Sequence, residues 1–145
     1  MPRNVYHEIN LHLVWRTKNN MPMLIDRVEN RCWHFLTHRA LETPGLFVHE
    51  IGGLPDHIHF AVSVPPTLLI SEWIGKLKGA SSHYINNEIC NQKTLEWQAG
   101  YGVVSFGTKD TEWVVSYIRN QKAHHANGTI HDRLERIDQP EHANA

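Results

Sequence analysis

Polar and apolar residues alternate from Glu8 to Arg16, with Ile9, Leu11, Leu13 and Trp15 on one side and Glu8, Asn10, His12, Val14 and Arg16 on the other. That period of two predicts a half-buried strand. From Asp26 to Thr43 the spacing changes to that of a helix. Val28, Cys32, Phe35 and Leu36 form its apolar stripe, Asp26 with Glu29 offers a capping pair, and Pro44-Gly45 ends the run. Two further strands are expected, Leu46 to Ile51 and His57 to Val64, joined by Gly-Gly-Leu-Pro-Asp as a hairpin. Pro65-Pro66 closes it. Ser71 can then cap a second helix bearing Ile74, Leu77, Tyr84 and Ile85, followed by a glycine-punctuated strand from Trp97 to Phe106. A last helix from Asp110 to Ala126 stops at Gly128, and the polar tail from His131 onward is expected to be loosely held.

Strand, helix, strand, strand, helix, strand, helix is the order of an α+β, ferredoxin-like (RRM-like) fold with an extra C-terminal helix. Its antiparallel sheet carries helices on one face, so the other face should be free to meet a ligand or partner. The expected division is one domain over residues 1–130 and a polar C-terminal tail over 131–145.

Composition narrows the function classes only slightly. With 145 residues, 41% hydrophobic and 20% charged, the chain fits an ordinary globular domain. A formal net charge of −1 gives no global attraction to a polyanion, so nucleic-acid contacts must come from local clusters, helped by any of the 12 histidines that protonate beside phosphate. Cys32 and Cys90 have neither disulfide nor metal-knuckle spacing. Together with the lack of a leader or a bilayer-length apolar run, this predicts a reduced, cytoplasmic protein with no membrane partner.

The candidate chemistry begins on the strand at His57. Ile58, Phe60, Val62 and Val64 point one way and His57, His59, Ala61 and Ser63 the other. Two imidazoles about 6.6 Å apart along a strand can converge on one ion, with room left beside small Ala61 and Ser63. Two histidines do not make a metal centre; a third ligand must reach the same face. The last helix offers Tyr117 and Gln121 at i, i+4, which project from one side. An amide oxygen with two imidazoles suits Mg²⁺ or Mn²⁺ better than a thiolate-rich set does. Tyr117 is a candidate nucleophile once its phenol, of ordinary pKa about 10, is deprotonated or well positioned. Beside Trp113, Val114 and Ile118 it also reads as a packing residue.

The chain resembles the single-tyrosine HUH (His, hydrophobic, His) transposases of small bacterial insertion sequences that move as single-stranded DNA. The likeness covers about residues 6 to 126. It rests on His12-Leu13-Val14-Trp15 with Thr17-Lys18, Gly52-Gly53, Asp56-His57-Ile58-His59-Phe60, Pro65-Pro66-Thr67, Lys76-Leu77-Lys78-Gly79 with Ser81-Ser82, Trp97-Gln98-Ala99-Gly100-Tyr101-Gly102, and Tyr117-Ile118-Arg119-Asn120-Gln121 with His124-His125. The resemblance implies that His57, His59 and Gln121 bind a divalent metal, Mg²⁺ or Mn²⁺. It implies that Tyr117 forms a 5′-phosphotyrosine while releasing a 3′-hydroxyl, and that rejoining reverses the attack. The implied partners are single-stranded DNA with a hairpin at the element end and a second copy of the chain, in a homodimer whose sites combine one chain's tyrosine with the other's histidines. Arg16, Lys18, Lys76, Lys78, Arg119 and Lys122 are the candidate phosphate contacts. Tyr101 is a weaker candidate nucleophile, with no metal ligand near it in sequence. Asn19-Asn20, Ala80 and His83 stand where relatives often carry basic residues. Two other readings stay open: a domesticated relative acting on genomic palindromes, and a catalytically silent nucleic-acid-binding module.

Overall fold

The computed structural model describes residues 5–137. Strands β1 (Asn10–Arg16), β2 (Phe47–Leu54), β3 (His57–Ser63) and β4 (Gly102–Phe106) form one antiparallel sheet in the order β2-β3-β1-β4. Helices α1 (Asp26–Leu41) and α2 (Ile70–Tyr84) lie between them in sequence, and α3 (Thr111–Arg119), α4 (Gln121–Asn127) and α5 (Asp132–Glu135) follow. This is the four-stranded α+β architecture the element order predicts.

One sheet face carries the main core. Leu11, Leu13 and Trp15 of β1 and Ile58, Phe60 and Val62 of β3 pack against Val28, Cys32, Leu36 and Ala40 of α1 and Trp73, Ile74 and Leu77 of α2. The alternation of β1 and β3 sends every one of these side chains to the same side. Phe35, half-buried, stacks on Tyr84 at 4.6 Å and links the two helices at the rim. Both cysteines are free, and burial pushes the Cys32 thiol well above its ordinary range, which keeps it an inert packing group.

The second sheet face is not open. Val14 and Ala61 also point to it and are almost completely buried there, and Val114 and Ile118 of α3 cover Ala61. Apolar positions on both sides of β1 and β3 require cover on both sides. Gly52 is what lets α3 come close: a Cβ there would stand 3.1 Å from both the Ile118 carbonyl oxygen and its Cγ2. Gly52, Gly53 and Leu54 consequently belong to β2, and only Pro55-Asp56 form the hairpin turn.

Three boundaries differ from expectation for local reasons. Asp26 does not cap α1; it is the first helical residue, with φ of 52°, and no side chain caps that end. Ser71 lies inside α2, whose N-cap position is Leu69. The strand expected from Trp97 is confined to Gly102–Phe106, while Trp97 forms an isolated bridge with Thr17. The C-terminal helix is broken at Asn120, whose φ and ψ of −102° and 25° are non-helical. The Asn120 amide donates to the Ser116 carbonyl at 2.9 Å, the kind of side-chain competition that interrupts helices.

The segment after His131 is packed, not loose, through Ile137. Leu134 and Glu135 of α5 are buried, and α5 contacts β1 and β4. Residues 138–145 of the expected tail lie outside the described residues. Among the described residues, no helix is long and apolar enough to cross a membrane.

Candidate metal and nucleophile site

β3 puts His57 and His59 on the second face, where α3, α4 and α5 bury them almost completely. Their ring centroids are 4.9 Å apart. Each is held by its Nδ1. Asp56 accepts from His57 Nδ1 at 2.7 Å, and the ring's Nε2 faces Gln121 and Glu135 within the site. His59 Nδ1 meets Nε2 of His12 at 2.9 Å, across the β1–β3 ladder. Burial, with His59 beside it, pulls His12 down to a pKa of about 3, so at neutral pH the pair is uncharged and can present His59 Nε2 as a ligand. Burial likewise lowers His59.

His12 was legible as a polar residue of β1, but its role as the partner of His59 depends on strand register. Orienting contacts of this kind tune metal affinity by about 10–100-fold. His12→Ala is expected to weaken metal binding by that order, read by calorimetric titration of the metal, with little change in helix content.

Gln121, at the start of α4, places Oε1 3.4 Å from His57 Nε2 and is itself buried. The break at Asn120 therefore does not carry it away from the histidines. Tyr117, on α3, has its ring centroid 5.9 Å from that of His59, edge to face. The ring is held between Trp113 at 5.6 Å and His124 at 4.7 Å, both stacked on it. Its hydroxyl donates to Glu135 Oε2 at 2.5 Å and accepts the His131 backbone N–H at 2.8 Å. Burial, reinforced by the hydrogen bond to Glu135, pushes the phenol up to about 12.

Glu135 is the residue that sequence reasoning missed. It comes from the segment expected to be loose, and its carboxylate lies 3.4 Å from His57 Nε2, 3.3 Å from His59 Nε2 and 3.5 Å from His125 Nε2. Burial alone would raise its pKa, but the His59, Tyr117 and His57 contacts hold it down at about 2. One ligand atom from each of His57, His59, His125 and Glu135 falls within 4.8 Å of all the others, a cluster that can hold a metal ion. No pattern near Glu135 marks it, because its position is fixed by the packing of Leu134 and not by a periodic stripe.

The donor set fits a metal on one further observation. His59 Nε2, His125 Nε2 and Glu135 Oε1 are buried nitrogen and oxygen atoms without a hydrogen-bond partner, and all three point into the same cluster. Groups of this kind are costly to bury unless something satisfies them.

The candidate phosphate contacts fall into separate settings. Arg119 pairs with Glu50 at 3.4 Å, and exposed Lys122 lines the same cleft as Arg119, Gln121 and Gly53 beside β2. Lys18 pairs with Glu96 at 3.1 Å, and Lys78 donates to the Gln98 and Gly100 carbonyls, so both bind the 96–100 segment. Lys76 pairs with Glu72 along α2, and Arg16 is half-buried at the end of β1, opposite His57. Tyr101 lies outside the cluster, packed at the edge of the main core.

Fold and site together describe a small α+β domain with a paired-histidine strand and a helix-borne tyrosine. Residues 5–121 match the family described as transposase, IS200-like. The chain belongs to this IS200-like transposase family, whose members cleave and rejoin DNA. It is 24% identical over 124 residues to the ISDra2 transposase TnpA of Deinococcus radiodurans, covering 82% of this chain and 88% of that protein. It is 34% identical over 71 residues to the transposase for insertion sequence element IS200 of Salmonella typhimurium, covering 46% of each. A crystal structure from Deinococcus radiodurans R1, described as a transposase, superposes with a TM-score of 0.65 at 24% identity, over 83% of this chain and 96% of that one. A REP-associated tyrosine transposase bound to a REP hairpin superposes with a TM-score of 0.61 at 19% identity, over 90% and 75%. These two superpositions speak to the fold.

Proposed function

We propose that this transposase nicks and rejoins single-stranded DNA through Tyr117, with His57, His59 and Gln121 holding a divalent metal, Mg²⁺ or Mn²⁺. The observation that carries this reading is the convergence of α3 and β3, which sets the Tyr117 ring 5.9 Å from the His59 ring, edge to face. When bound, the metal polarises a phosphoryl oxygen as a Lewis acid. The chain supplies the rest. Asp56 and His12 orient the two imidazoles through their Nδ1 atoms, and Trp113 and His124 fix the plane of the tyrosine ring. The phenol oxygen, losing its proton, attacks phosphorus. The bond to the 3′ oxygen breaks, and that oxygen takes up a proton as a free 3′-hydroxyl. The phosphotyrosine conserves the energy of the diester, so a 3′-hydroxyl can reverse the step and rejoin.

A hairpin in single-stranded DNA is the proposed substrate feature, in keeping with the REP hairpin bound by one structural neighbour. Arg16, Lys18, Lys76, Lys78, Arg119 and Lys122 are proposed to neutralise phosphates. Half-exposed Trp113 above Tyr117 adds a surface on which a base can stack.

The test is to incubate the protein with end-labelled single-stranded hairpin DNA and Mn²⁺, denature, and map any protein-linked label by proteolysis. Label on the peptide bearing Tyr117 is expected; label on the Tyr101 peptide, or none, refutes the assignment. The proposal includes a homodimer with shared sites, although a single chain already sets Tyr117 beside its own His59. Mixing Tyr117→Phe chains with His59→Ala chains decides this point. Recovery of adduct requires sharing between chains, and no recovery means each site is built within one chain.

A further inference from the structure

We infer that the cavity between β4 and the C-terminal segment holds one nucleotide of single-stranded DNA, its base against Tyr101 and its phosphate on Arg133 and Arg136. The cavity has a volume of about 820 Å³, and Tyr101, Val104, His131, Arg133, Arg136 and Ile137 are among its walls. None of His57, His59, Gln121 and Glu135 lines it, so it is separate from the histidine face. Only its place along the DNA strand rests on the reading of Tyr117 as nucleophile.

The geometry is the first argument. The order β2-β3-β1-β4 leaves one side of β4 without a neighbouring strand. The Ser105 carbonyl lies on that side, because it accepts from Arg133 Nη2 at 2.7 Å. Alternation along an antiparallel strand then puts the Val103 N–H on the same open side, as a donor beside the guanidinium. Arg133 spends one of its five N–H groups on Ser105, an anchor that fixes its fork at the cavity wall. Arg136 is held by Asp132 at 3.4 Å and lines the same wall.

Chemistry is the second. Two guanidiniums against one carboxylate, that of Asp132, leave the cavity cationic, and guanidinium forks match phosphate oxygens. The rest of the wall suits a base. Tyr101 is half-buried, packed on the main core and also facing the cavity, where Val104 and Ile137 extend its apolar surface. Aromatic side chains beside cationic groups are how proteins hold single strands, because every base has a face that stacks. A duplex keeps its bases paired and stacked and offers such a wall none without flipping it out. The volume lies within the range of about 300–1,000 Å³ usual for small-molecule sites. Tyr101, with no metal ligand beside it, thus acts through its ring and not its hydroxyl.

His131 connects this cavity to the nucleophile. Its backbone N–H donates to the Tyr117 hydroxyl at 2.8 Å, and the same residue lines the cavity. A strand whose phosphate lies at that hydroxyl therefore places a neighbouring nucleotide between Tyr101 and Arg133. The cavity sets affinity for the strand and not the chemical step; Glu135 remains the group that a phosphate meets at Tyr117.

The probe is a fluorescent oligothymidylate of about ten nucleotides, without a hairpin, bound by the full chain in EDTA and followed by anisotropy over a range of salt concentrations. Arg133→Ala and Arg136→Ala should each weaken binding and flatten the plot of log affinity against log salt by about 0.7, the slope carried by one phosphate contact on a single strand. Arg133→Lys should restore the slope, since it keeps the charge, while recovering affinity only in part. Tyr101→Leu should weaken binding on the order of tenfold, and Tyr101→Phe should bind as wild type does, since the stacking ring remains. Arg39→Ala, a change at an exposed pair at the end of α1, should alter neither affinity nor slope. The inference is overturned by absence of wild-type binding, by an unchanged slope in both arginine variants, or by Tyr101→Phe binding as weakly as Tyr101→Leu. Covalent capture is measured separately with Mn²⁺ at saturating strand. Lost capture with the expected salt slopes refutes the Tyr117 reading alone, and intact capture with unchanged slopes refutes the cavity alone.

Discussion

Tyr117→Phe should abolish covalent capture of single-stranded DNA, by on the order of 10⁴-fold or more, as loss of a nucleophile does in other covalent enzymes. Phenylalanine retains the ring that stacks between Trp113 and His124, so the packing of α3 should survive. What disappears is one oxygen. It leaves Glu135 Oε2 without its 2.5 Å donor and the His131 N–H without its 2.8 Å acceptor. Unsatisfied buried groups cost about 1–3 kcal/mol, so a fall in thermal midpoint is expected alongside the loss of activity. The two effects separate cleanly. Helix content and any Mn²⁺ binding should persist in a variant that has lost only its nucleophile, and residual adduct in Tyr117→Phe would place the chemistry elsewhere.

Much of this site was legible from periodicity. The period of two in β3 sets His57 and His59 on the face opposite Phe60, and the i, i+4 spacing of Tyr117 and Gln121 survives a helix break that no spacing rule reveals. The break is itself local chemistry: Asn120 reaches back to Ser116. The second face is closed where an open one is expected because Val14 and Ala61 are apolar residues among the polar positions of their strands. Each needed cover, and Val114 and Ile118 supply it to Ala61. Glu135 was beyond reach for a different reason. A short polar segment carries no period, and a single buried leucine beside it decides where its carboxylate goes.

That dependence on packing makes Gly102→Ala the sharpest probe of the C-terminal segment. Gly102 in β4 pairs with Val14, and a Cβ on it would fall inside contact distance of the Arg136 carbonyl oxygen and 2.8 Å from Val14 Cγ1. The Val14 side chain has some room to turn, but a backbone carbonyl does not yield without moving its segment. Overpacking of this kind costs about 1–3 kcal/mol. Here the strain should be relieved by lifting Arg136, and with it Glu135, off the sheet. Three measurements follow. Proteolysis after α4 should accelerate, because backbone that was docked on β1 and β4 becomes accessible. The phenol of Tyr117, raised to about 12 by burial and by Glu135, should titrate closer to its ordinary value of about 10 once the carboxylate withdraws. The neutral phenol stabilises the folded state below pH about 10, and that stabilisation is lost as pH rises toward 12; in Gly102→Ala the alkaline loss should be smaller. Mn²⁺-dependent capture of DNA should rise, because phosphate no longer competes with Glu135. Slower capture with the segment released would instead make Glu135 a working part of the Tyr117 site.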